Sequence, residues 1–242
     1  MSAGKVYGLG LGPGAADLMS VRADRILRAA THVAYFRKAG HAGQARQIVE
    51  GLIPAGAREH PMDYPVTTEI PFDDPRYNQA LSAFYAECTA RLAALAEGGA
   101  DIVVLCEGDP FFYGSFMHLY TRLAGRVPVE VVPGITGMSA AWTATGAPIT
   151  WGDDILTVLP GTLPEQALTD GIRAADAIVV MKMGRHLPRL RRALAAAGRA
   201  GDAFLVEYAA MPGQRVTRLA DYPDDTAPYF SIALVHGQGR RP

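Results

Sequence analysis

Apolar residues fall into short continuous runs separated by stretches with helical spacing, and that alternation is the first indication of the fold. Residues 5–11 (KVYGLGL) read as a buried strand running into glycine, and residues 32–36 (HVAYF) as the next strand. Between them Met19, Ala23, Ile26, Leu27 and Ala30 recur as one face of a helix. Asp74 and Pro75 read as the cap and first position of a long helix. Its buried face carries Tyr77, Leu81, Phe84, Tyr85, Cys88, Leu92 and Leu95, and Gly98–Gly99 stop it. Residues 101–106 (DIVVLC) and 127–132 are uninterrupted apolar strands of the kind that a parallel sheet buries on both faces. Strand–helix–strand alternation of this sort predicts an α/β domain with a mostly parallel sheet.

The pattern breaks at residues 145–154 (TGAPITWGDD) and then restarts. Strands are expected at 155–159, 177–181 and 203–208 with helices between them, followed by strand-like pieces at 215–219 and 229–236. That half predicts a second α/β domain with a mixed sheet, so the expected division is 1–147 and 148–242.

Composition narrows the class. The 242 residues are 49% hydrophobic and 19% charged, which suits a soluble globular enzyme with one good core or two modest ones. No apolar run approaches the roughly 20 residues that span a bilayer. A net charge of -1 gives no excess to argue for nucleic acid. Residues 1–5 lack the basic and apolar regions of an export signal, so a cytoplasmic location is expected. Cys88 and Cys106 are expected as buried free thiols. The 6 histidines show no i, i+4 pair and no neighbouring cysteine, so no metal site is expected.

Four glycine- or proline-rich loops each follow an apolar strand, and ligands gather beyond the carboxyl ends of strands in open α/β sheets. The first, residues 8–14 (GLGLGPG), formally satisfies a dinucleotide pattern through Gly10, Gly12 and Ala15. Pro13 removes a backbone donor there, and the strand at 32–36 ends without an acid to hold a ribose, which argues against a nicotinamide enzyme. The second, residues 107–114 (EGDPFFYG), offers close backbone approach and π-faces; its alternative is a tight turn with Phe111 and Phe112 in the core. The third, residues 133–140 (PGITGMSA), opens into a small-residue helix. The fourth, residues 181–185 (MKMGR), mixes thioethers with two cations.

These four loops, in this order, resemble the tetrapyrrole (corrin and porphyrin) methyltransferase family from about residue 5 to about residue 236. Within it, residues 105–116 (LCEGDPFFYGSF), residues 64–67 (YPVT), Glu207 with residues 212–215 (PGQR), and residues 229–233 (YFSIA) are similar to the branch that methylates C20 of precorrin-2. The family's pattern departs at Phe36, where the uroporphyrinogen-III methyltransferases carry an Asp, and this argues against that reaction.

The resemblance implies two α/β domains, a homodimer, and S-adenosylmethionine (SAM) bound in a cleft between the domains, with S-adenosylhomocysteine as by-product. Carried over by motif, the cofactor contacts are Pro13, Glu107, Gly108, Asp109, Phe112, Thr136, Gly137, Met183 and Ala209. Asp109, Glu107 and Tyr113 are the candidates for acid, base or polarising group. The substrate class carries many carboxylates, which makes Arg37, Lys38, Lys182, Arg185 and Arg215 the candidate substrate contacts. The rival within the family is the same C20 methylation on a cobalt-bearing ring. Outside it, the alternative is a non-catalytic SAM- or tetrapyrrole-binding regulator.

Overall fold

A computed structural model describes residues 3–66 and 74–239; Thr67, the last residue of the 64–67 segment, lies outside them. The chain divides into two compact units, residues 1–136 and 137–242.

The first unit is built on five parallel strands, β1 (Val6–Gly10), β2 (His32–Lys38), β3 (Arg58–Tyr64), β4 (Ile102–Cys106) and β5 (Val129–Val132), in the order β3-β2-β4-β1-β5. The parallel sheet expected from the apolar runs is what forms, and β4, the most apolar run, is buried at every residue. Alternation along β4 divides its side chains between two cores. Val103 and Leu105 join Leu9, Leu27 and Val33 beside α1 (Val21–Arg28) and α2 (Gln44–Ile48), while Ile102 and Val104 join Phe84, Leu92, Phe116 and Leu119 of α3 (Pro75–Glu97) and α4 (Phe116–Leu123). Gly8 permits that second packing, because a Cβ there would lie 2.3 Å from the Phe116 ring.

β3 and α2 are among the elements that escape sequence reading. β3 (REHPMDY) is polar and contains Pro61, tolerable because β3 is an edge strand. α2 has only 5 residues and no periodicity to detect. The long helix begins as expected, with Asp74 Oδ1 accepting the Arg76 N–H at 2.8 Å. From β1 the chain moves outward to β2 and β3, then returns to β4 and crosses to β5. The reversal at the β4–β1 pair is a topological switch point, where such sheets open their loops to ligands.

The second unit contains α5 (Gly137–Ala144), β6 (Leu156–Pro160), α6 (Glu165–Arg173), β7 (Ala177–Met181), α7 (Leu187–Ala196), β8 (Ala203–Glu207), β9 (Arg215–Arg218) and β10 (Ser231–Val235). Its order is β6-β7-β10-β8-β9, parallel only at β6–β7, so the sheet is mixed as its sequence suggests. Leu168, Ile172, Leu190 and Leu194 of α6 and α7 cover one face; Ala141 of α5 packs with Val179, Val206, Ile232 and Leu234 on the other. α5 therefore goes with the second unit, whereas the expected boundary after residue 147 lies beyond that helix.

Cys88 and Cys106 are buried free thiols; burial pushes Cys88 up to about 11 and raises Cys106 further. Among the described residues no helix is long and apolar enough to cross a membrane.

Candidate active site

Three loops of the first unit converge on one backbone seam. A Cβ on Gly10 would lie 2.5 Å from the Gly134 nitrogen, and one on Gly134 would lie 2.1 Å from the Gly108 carbonyl oxygen. Side chains are excluded at Gly10 and Gly134 by backbone, so the ends of β1, β4 and β5 can touch only because those two residues are glycine. Gly12 and Gly108 donate to each other's carbonyls at 3.3 and 2.7 Å, and Pro13 beside them is buried. The amides of this turn thus face protein. α1 starts only at Val21, capped by Ser20, so the glycine run does not open into a helix that could hold a pyrophosphate.

Asp109 fastens the seam. Its Oδ1 accepts the Phe111 N–H at 2.9 Å and its Oδ2 accepts the Gly134 N–H at 3.0 Å. Both oxygens are thereby engaged in holding the loop after β4 to the loop after β5. The geometry gives Asp109 a loop-positioning role. Phe112 is half-buried with its ring 4.9 Å from that of Tyr113, edge to face, and Tyr113 is 40% exposed. Thr136 is half-buried at the end of the third loop.

Glu107 behaves differently. Its Oε1 accepts the Ala45 N–H at the start of α2 at 3.1 Å. Glu107 is exposed as a residue, and it is the protein packed around its carboxyl that raises the proton's affinity. Burial pushes it up to about 7, with the Ala45 N–H pulling weakly the other way. It is the carboxyl in these loops poised to gain or lose a proton near neutrality.

Next to this loop, Tyr64 Oη hydrogen-bonds Ser115 Oγ, linking the end of β3 to the residue after Gly114. Phe36 stacks on Tyr64 at 5.4 Å and meets Phe84 at 6.2 Å, so the position that departs from the family's Asp belongs to an aromatic cluster.

In the second unit the loops after β6 and β7 are close-packed: Gly161 N–H donates to the Met181 carbonyl at 2.6 Å, and a Cβ on Gly161 would lie 2.7 Å from Met183 Cα. Met183 is 1% exposed and its side chain belongs to the core, so only its backbone is available to a ligand. Gly137 opens α5 near Ile232, and Ala209 packs against the same α5-side cluster. Among the described residues, four other than glycine have positive φ: Tyr113 (56°), Lys182 (56°), Tyr208 (52°) and Ala210 (57°). All four lie in the loops that follow β4, β7 and β8. Such backbone costs roughly 1–3 kcal/mol per residue and persists where surrounding structure enforces it, as at binding sites.

The model of the tetrapyrrole (corrin/porphyrin) methylases matches residues 5–221. The chain belongs to that family. It is 48% identical over 239 residues to a precorrin-2 C(20)-methyltransferase of a Sinorhizobium species, covering 99% of this chain and 98% of that one. It is 29% identical over 240 residues to a cobalt-precorrin-2 C(20)-methyltransferase of Salmonella typhimurium, covering 97% of each. A crystal structure of uroporphyrin-III C-methyltransferase from Thermus thermophilus, complexed with S-adenosylhomocysteine, shares the fold with TM-score 0.69 at 23% identity, covering 96% of this chain and 97% of that one.

In this tetrapyrrole methylase the five expected cations have different fates. Arg37 is paired with Asp63 across β2–β3 at 2.6 Å, and Lys38, the last residue of β2, is exposed. Lys182 is exposed on its left-handed turn. Arg185 is exposed on the 3-10 turn Gly184–His186 with no ion-pair partner among the described residues. Arg215 donates from Nε to Oε2 of Glu207 at 2.5 Å, which ties it to the protein's own buried acid. Sequence reasoning missed that Glu207 is 2% exposed; the only signal was an acid ending an otherwise apolar run, AFLVE.

Proposed function

We propose that this chain transfers the methyl group of S-adenosylmethionine to C20 of precorrin-2, giving precorrin-3A in cobalamin biosynthesis. The observation that carries the reading is the 48% identity, running end to end, with a protein named for that reaction, against 29% for the cobalt-ring relative. The bound S-adenosylhomocysteine in a fold neighbour supports the choice of methyl donor.

The residues fit that donor. Half-buried Phe112 offers an apolar and π surface to a sulfonium, and the Thr136 hydroxyl offers a polar partner. Ala209 offers a backbone N–H and C=O that hydrogen-bond no described residue. Gly108, Gly137 and Pro13 serve by shape, Asp109 by fastening the loops, and Met183 through its backbone. SAM, when bound, supplies an electrophilic methyl carbon, whose bond to sulfur breaks with both electrons going to sulfur. The meso carbon that accepts it is enamine-like, so positioning can supply much of the acceleration. C20 must then lose its proton, and we assign that proton to Glu107, whose carboxyl lies near 7. Tyr113 is a polarising group at most.

Lys38, Lys182 and Arg185 are read as contacts for the ring's carboxylates, and Arg37 and Arg215 as structural through Asp63 and Glu207. The family resemblance further supports a homodimer working in the cytoplasm, which sedimentation and fractionation would test.

The deciding experiment is anaerobic turnover with SAM on precorrin-2 and, in parallel, on its cobalt-bearing counterpart, read by product mass. One methyl gained on the metal-free ring alone is the expected result. A gain on the cobalt ring alone would move the enzyme to the other substrate.

A further inference from the structure

Glu207 ends β8 and stands opposite Arg215, the first residue of β9, so the two close the base of the hairpin loop 208–214. Glu207 is buried and its charge is met from two sides. Arg215 Nε donates to Oε2 at 2.5 Å, and the Tyr222 hydroxyl lies 3.3 Å from Oε1. The Arg215 guanidinium also sits over the Tyr222 ring, 5.6 Å from its centroid. An acid buried to this degree is tolerated only when paired and hydrogen-bonded, and losing one partner exposes the other to the full cost of desolvation.

What this cluster supports is a turn under strain. Tyr208 and Ala210 both have left-handed backbone, at 52° and 57°, with Ala209 between them. The turn is held by Tyr208 N–H to the Phe230 carbonyl at 2.8 Å and by Ala210 N–H to Gln214 Oε1 at 2.8 Å. Ala209 alone keeps its N–H and C=O unengaged by described residues. Strained backbone that presents a free donor and acceptor needs something to enforce it.

We infer that Glu207, Arg215 and Tyr222 are positioning residues for the methyl donor: they hold the turn Tyr208–Ala210 in the one conformation that offers the Ala209 backbone to SAM. This rests on the SAM-dependent reading above, and it removes Arg215 from the substrate contacts. Relaxing the turn lowers the fraction of binding-competent protein, and the apparent dissociation constant rises by the same factor.

The test is calorimetric titration of S-adenosylhomocysteine into the full chain and into Glu207→Gln, Arg215→Gln and Tyr222→Phe, with hydrogen exchange of residues 208–214 followed in each. Glu207→Gln and Arg215→Gln should weaken binding about tenfold, which is about 1.4 kcal/mol. Tyr222→Phe should weaken it about threefold, Arg215→Lys should recover part of the loss, and exchange in the loop should quicken in the same order. The KM for the tetrapyrrole should stay within twofold. A merely structural cluster would lower the melting temperature while folded variants kept the wild-type dissociation constant, and that result overturns the inference. A rise in tetrapyrrole KM with SAM affinity intact would overturn it too, returning Arg215 to the substrate. Should Glu207→Gln not fold, Tyr222→Phe and Arg215→Lys decide the matter. Failure of the unmodified protein to bind S-adenosylhomocysteine would sink the SAM reading itself, and the loop's exchange rates would then report on the clamp alone.

Discussion

Replacing Glu107 with Gln should remove a proton acceptor and, at alkaline pH, also make the protein more stable. The folded carboxyl lies at about 7 against 4.5 for an ordinary glutamate, and burial is the cause. The folded state therefore binds the proton more tightly than the unfolded chain does. Its contribution to stability is fully present below about pH 4.5 and is lost as pH rises through about 7. The full rise corresponds to roughly 3 kcal/mol. Glu107 is exposed as a residue, and solvent screening reduces that ceiling to about 1 kcal/mol. Glutamine keeps the shape and an acceptor for Ala45 N–H without the charge. Glu107→Gln should then melt roughly 2–4 °C higher than the wild type at pH 8 and nearly the same at pH 5. In turnover, the wild-type kcat should climb with pH to a plateau with a midpoint near 7. The variant should lose that limb and about a hundredfold or more in kcat. A variant with wild-type kcat and an unchanged pH profile would refute Glu107 as the base. Equal melting shifts at pH 5 and pH 8 would refute the argument from burial.

Gly134→Ala would drive a Cβ to 2.1 Å from the Gly108 carbonyl, backbone that cannot swing aside. A loss of roughly 1–3 kcal/mol is expected in urea unfolding, and unaltered stability would mean that the three loops are not in contact. Asp109→Ala leaves the Phe111 and Gly134 amides without their acceptor, so S-adenosylhomocysteine should bind at least tenfold more weakly by calorimetry. Wild-type affinity there would dismiss the clamp. Arg185→Ala should raise the tetrapyrrole KM severalfold with the SAM dissociation constant unchanged, and equal losses in both would count against a substrate role.

The sheets were legible because their strands are apolar runs: DIVVLC gives β4, AIVVM gives β7 and AFLVE gives β8. Glycine and proline marked the loops where backbone packs on backbone, so that close approach was legible before any contact was known. β3 stayed hidden because an edge strand needs no apolar alternation, and α2 because 5 residues are too few to show a period. Pairing across distance was equally out of reach. The Ala45 amide that meets Glu107 is 62 residues away, and nothing in the local sequence announces it. Arg215 opened an expected strand and read as a substrate contact until strand register set it opposite Glu207. Met183 likewise read as a ligand contact in a mixed loop, while its side chain closes the core.

The four left-handed residues other than glycine have a consequence for how this protein would respond to selection for heat resistance. Each carries a Cβ in a region where a side chain costs roughly 1–2 kcal/mol and glycine costs almost none. Ala210→Gly or Lys182→Gly would relieve that crowding locally, though glycine's freedom in the unfolded chain offsets part of the gain. The relief would come where the loops that follow β7 and β8 must hold one shape. The shortest routes to a hardier molecule therefore run through its most exacting turns, and durability and precision compete for the same few positions.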